Sequence, residues 1–68
     1  MKTWIFDSIT QTYLFGSRRC GCGVFEEEGE FYANVVIFSN IYNYGPYTSL
    51  EETKKLAENR LEHLLVSG

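Results

Sequence analysis

The stretch CGVFEEEGEFYANVVIFS, residues 22–39, decides how this chain folds. A glycine in a short polar connection between two β-rich arms is a hairpin signal, and Glu28-Gly29 sits between such arms. The arms run from Cys22 to Glu27 and from Glu30 to Ser39. The second arm is apolar on both faces: Phe31, Ala33, Val35 and Ile37 point one way, and Tyr32, Asn34, Val36 and Phe38 the other. A strand apolar on both faces is central in its sheet.

Working outward, Thr3 to Phe6 and Thr12 to Phe15 form two further β-rich runs joined by a polar turn from Asp7 to Gln11. Downstream, Ser49 precedes a 3.6-residue periodicity that carries Leu50, Ala57, Leu61, Leu64 and Leu65 on one stripe, with Thr53 inside it and Leu56 on its flank. Ser49 and Glu52 have the spacing of a capping box. Glu51, Lys55, Glu58, Asn59 and Glu62 take the opposite face, and the pattern predicts a helix over 50–66. The expected architecture is α+β: a single domain over 1–68, with a four-stranded antiparallel meander and one C-terminal helix packed on one face, in the order β-β-β-β-α. Residues 40–47, Asn-Ile-Tyr-Asn-Tyr-Gly-Pro-Tyr, read as the connecting loop, because Gly45-Pro46 is a turn signal.

One helix covers one face of such a sheet, which leaves apolar side chains on the other. Trp4 with Phe6, and Tyr13 with Phe15, form two same-side aromatic pairs whose facing the sequence leaves open. Monomers seldom expose a contiguous apolar patch above a few hundred Å², so a homodimer or a protein partner is expected on the helix-free face. The 11 aromatics among 68 residues exceed what so small a core needs.

Composition narrows the function classes. Six Lys and Arg against nine Asp and Glu give a net charge of −3, which argues against general nucleic-acid binding. No apolar run approaches the roughly 20 residues of a membrane span, and the first residues lack a signal-peptide pattern, so a cytoplasmic protein with reduced cysteines is expected. Cys20 and Cys22 are one residue apart and His63 is the lone histidine, too few ligands for a single-chain zinc site. The pair is also poorly placed for an unstrained disulfide or a C-x-x-C redox site. No metal, cofactor or catalytic residue is assigned, and the chain is expected not to be an enzyme.

The candidate contacts are therefore for partner binding. Arg18 and Arg19, in the glycine-bounded run 16–21, offer guanidinium forks to carboxylate or phosphate. Tyr42, Asn43, Tyr44 and Tyr47 suit recognition, since the ring brings area at low entropy cost and the polar ends adapt. Glu26, Glu27 and Glu28 make an acidic tip that could steer a basic partner.

Phe31-Tyr32-Ala33-Asn34-Val35-Val36, the glycine-containing loop, and Thr48-Ser49-Leu50-Glu51-Glu52-Thr53-Lys54-Lys55-Leu56-Ala57-Glu58 resemble the ending of small phage and mobile-element proteins of the anti-CRISPR kind, with Thr53 where alanine is commoner. The resemblance implies a non-enzymatic inhibitor that occludes the surface of a host defence complex in the host cytoplasm. The alternative is a small dimeric module that holds a phosphorylated or nucleotide ligand through the Arg/Gly loop and the tyrosines.

Overall fold

The computed structural model describes residues 3–17 and 19–67. Five strands, β1 (Ile5–Asp7), β2 (Thr12–Gly16), β3 (Cys20–Glu27), β4 (Glu30–Ile37) and β5 (Asn40–Tyr47), precede helix α1 (Leu50–Ser67). All neighbours are antiparallel, in the order β1-β2-β3-β4-β5. The fold is thus an α+β meander with one helix, but with five strands rather than four.

The added strand is the segment read as a loop. Asn40, Ile41, Tyr42, Asn43 and Tyr44 pair in register with Ile37, Val36, Val35, Asn34 and Ala33. Gly45-Pro46 does not end the strand. The register slips between Phe31 and Ala33, and pairing resumes at Phe31–Tyr47. Proline is tolerated here because β5 is an edge strand, whose outer side lacks a partner.

The hairpin at Glu28-Gly29 is as the sequence implies. Glu27 pairs with Glu30, and the two residues between them have φ of 53° and 82°, the doubly left-handed form suited to a two-residue turn. Other boundaries move. The third strand begins at Cys20, two residues early, and the fourth stops at Ile37. Phe38 therefore leaves the strand: it sits in the turn to β5 with φ of 55° and is 67% exposed.

The core lies between α1 and one sheet face. Cys22, Val24, Ala33, Val35, Ala57 and Leu61 are buried, and Trp4, Tyr13, Phe15, Phe31, Ile37, Tyr44, Leu50 and Leu64 pack around them. Both aromatic pairs left open above are on this side. Phe6 pairs with Tyr13, the two rings 4.8 Å apart, and Trp4 lies 5.1 Å from Phe15. Leu65, placed on the apolar stripe, is 42% exposed near the end of the helix.

Ser49 caps α1, its Oγ accepting the Glu52 amide at 3.3 Å. Thr53 is buried on the stripe because its hydroxyl donates to the Ser49 carbonyl at 2.6 Å. Glu58 departs from its expected outward position. It is half-buried and accepts a hydrogen bond from Trp4 Nε1 at 2.5 Å. One turn earlier, the Lys54 ammonium lies 4.5 Å from the centre of the Tyr13 ring and 4.0 Å from the Glu51 carboxylate. On the other flank Arg60 lies over Tyr44 at 5.6 Å. Long polar side chains thus extend the reach of a narrow helix over the outer strands.

Gly21 is where the backbone approaches itself most closely. A Cβ there would stand 2.3 Å from the Ser17 carbonyl oxygen and 2.7 Å from that of Phe15. Both are backbone atoms, so relief requires the chain to move. Gly21→Ala should lower the unfolding free energy by about 3 kcal/mol, the upper end of ordinary overpacking. Glu58→Ala should cost about 2 kcal/mol, as expected for a hydrogen bond to a charged group, and shift the emission of the single tryptophan. Chemical denaturation followed by fluorescence checks both; a Glu58→Ala protein with unchanged stability and emission would refute the Trp4 contact.

Candidate interaction surfaces

The residues singled out from the sequence do not converge on one site. Arg19 is exposed at the β2–β3 turn, and its carbonyl accepts the Phe38 amide at 2.6 Å. Arg18 lies outside the described residues. Glu26, Glu27 and Glu28 are exposed at the opposite end of β3, some seven residue steps or about 24 Å away at strand rise. The tyrosines run along the β5 edge. Tyr42 and Tyr44 pair with Val35 and Ala33 and share the helix side, whereas Asn43 pairs with Asn34 and faces the other way.

The arginine-glycine turn is closed on itself. The Ser17 amide donates to the Cys20 carbonyl at 3.1 Å, and the Cys20 amide donates to Ser17 Oγ at 3.1 Å. Two of the amides that would cradle an anion are therefore already engaged, which leaves the Arg19 side chain as the described cation of this turn.

Cys20 and Cys22 are free thiols that alternate onto the helix side. Cys22 is buried in the core. Desolvation, reinforced by the negative charge of Glu58, pushes its thiol from 9.0 up to about 12. It is thus a small apolar filler and a poor nucleophile at neutral pH. Among the described residues, no group of three or more His, Cys, Asp and Glu side chains could hold a metal ion, and no helix is long and apolar enough to cross a membrane.

The other surface to consider is the sheet face away from α1. By alternation it carries Ile5, Thr12, Leu14, Phe25, Tyr32, Asn34, Val36, Ile41 and Asn43. Ile5 is 67% exposed, Leu14 43% and Ile41 65%. Phe25 and Tyr32 stack at 5.5 Å with an interplanar angle of 17°. At its centre Asn34 Oδ1 and Thr12 Cγ2 lie against Gly23, at 3.0 and 3.4 Å from where a Cβ would be. Ile5, Leu14 and Ile41 had no place among the sequence candidates. The period-2 pattern carried the signal for Leu14, but Ile41 was hidden in the segment read as a loop.

None of the chain's 11 aromatic side chains is fully buried. A second surface is a shallow depression of about 500 Å³ on α1, lined by Glu52, Lys55, Leu56, Asn59, Arg60 and His63. No protein-family model, curated protein or solved structure matches the chain.

The Cys22 environment makes a direct prediction. At pH 8 iodoacetamide should label Cys22 far more slowly than Cys20, read by mass spectrometry of digests; equal rates would contradict the burial. The folded chain keeps this proton above pH 9 while the unfolded chain releases it. The thiol's contribution to stability is therefore complete below about pH 9 and is lost as the pH rises towards 12. Cys22→Ala should flatten that part of the alkaline stability curve.

Proposed function

We propose that this chain is a non-enzymatic protein-binding module that receives an extended segment of a partner protein along its β5 edge. The observation that carries this reading is the edge itself. β5 pairs on one side with β4 and, among the described residues, has no strand on the other. The run Ser39–Ser49 contains no charged residue. Natural edge strands are commonly blunted by charge, proline or bulges to stop further pairing. Here the proline and the register slip lie at the C-terminal end, which leaves Asn40–Tyr44 open.

A strand added at this edge gains backbone hydrogen bonds, while side-chain pockets set specificity. Tyr42 and Tyr44 supply the aromatic floor on the helix side, and Arg60 borders it from α1. The resemblance to small phage proteins makes the partner a component of a bacterial defence complex, with inhibition by occlusion. The acidic tip and Arg19 then act as steering charges at the two ends rather than as parts of one contact. The small-anion reading is weaker, since the Ser17 and Cys20 amides are already satisfied.

The test is a pull-down from host extract, followed by affinity measurement with the purified captured protein. Tyr42→Arg, at a position already 38% exposed, should leave the fold intact and weaken binding at least about tenfold. Hydrogen exchange of the Ile41–Tyr44 amides should slow in the complex. Unchanged affinity and unchanged exchange at β5 would overturn the proposal.

A further inference from the structure

We infer that the helix-free sheet face is the contact between two copies of this chain, packed face to face and head to tail about a two-fold axis running across the strands. This goes beyond the β5 edge, which stays open in such a dimer.

Size is the first argument. The two longest extents of the molecule, 33 and 23 Å, cap the footprint of any one face at about 760 Å², so a second copy, with the same footprint, covers this face whole, whereas a standard-size interface takes roughly 800 Å² per partner. The chain also needs the cover. Its largest fully buried side chains are Val24, Val35 and Thr53, a modest core for 68 residues.

The distribution of charge selects the occupant. The middle of the face, from Ile5 across Leu14 and Asn34 to Ile41, carries no charged residue. Its charges lie at one end: Asp7 on β1, and Glu27 and Glu30 at the β3–β4 tip. Glu27 and Glu30 stand directly opposite each other, an arrangement that is unfavourable within one molecule. Arg19 is exposed at the other end. A two-fold axis across the strands reverses one copy along the strand direction. It therefore places the Glu27–Glu30 pair of each copy over the Arg19 end of the other, which relieves the like-charge pair.

The same operation matches the apolar groups. Phe25 and Tyr32 occupy the level nearest the acidic tip, Leu14 and Asn34 the middle, and Val36 and Ile41 the level nearest Arg19. The stacked Phe25–Tyr32 pair then falls on the Val36 and Ile41 level of the second copy, and Leu14 meets its own image near the axis. Aligned sheet-on-sheet packing of this kind is a standard solution for two apolar sheet faces.

Sedimentation velocity across a concentration series tests this. The expected mass is twice 7.9 kDa. Leu14→Lys and Ile41→Lys, both at exposed positions, should each return a folded monomer by circular dichroism, whereas Val66→Lys, 83% exposed on α1, should leave the dimer intact. Arg19→Glu should weaken the dimer about threefold or more, Glu27→Arg with Glu30→Arg should do the same, and the three together should restore it. A chain that remains a monomer up to about 1 mM overturns the proposal. So does a dimer that survives both lysine variants, or one lost instead through Tyr42→Arg, which would place the contact at the β5 edge. Charge reversal that tightens the dimer, or a triple variant without recovery, overturns the head-to-tail arrangement.

Discussion

One helix cannot cover a five-stranded sheet. An α-helix with its side chains is about 10 Å across, whereas five strands at about 4.8 Å spacing span about 19 Å between their outer axes. α1 therefore seats its apolar stripe on β3 and β4, where Val24, Ala33 and Val35 meet Ala57 and Leu61. It reaches the outer strands with polar side chains: Lys54 and Glu58 to Tyr13 and Trp4, and Arg60 to Tyr44. Among the described residues, no element covers the far face. The partly exposed aromatics and the small core both follow from that one mismatch of widths.

The mismatch also explains why polar groups sit where a helical wheel would not put them. A wheel sorts residues by polarity alone and sends Glu58 to solvent. In the fold Glu58 is the acceptor that anchors the only tryptophan, and its charge reaches as far as the Cys22 thiol. Thr53 shows the converse case. It reads as a weak point on the apolar stripe, but its hydroxyl satisfies the Ser49 carbonyl and the residue buries without an orphaned group. In both cases the decisive partner is a single atom on another residue, and periodicity carries no information about that.

Much of the architecture was legible because local signals agreed with one another. The Glu28-Gly29 turn, the two-sided strand after it and the capped helix each have a short-range cause. β5 was not legible as a strand, since Gly45-Pro46 punctuates a chain that also alternates, and a proline is compatible with an edge but not with a centre. The number of strands thus turned on which neighbour Asn40–Tyr44 would find. How the residues named from the sequence group in space was not legible. Arg19, the acidic tip and the tyrosines lie at two ends and one edge of the sheet.

The structure shows a small sheet with an edge strand free of charge over Asn40–Tyr47 and a helix-free face whose acidic groups sit at one end; the roles of both are our proposals. The measurement that bears most directly on it is an isotope-filtered NMR experiment on a mixture of labelled and unlabelled chains, which reports contacts between molecules alone. The account predicts intermolecular contacts from Phe25 and Tyr32 to Val36 and Ile41, and from Leu14 to its own image. Intermolecular contacts confined to α1, or none from the helix-free face at concentrations where the chain self-associates, would contradict it.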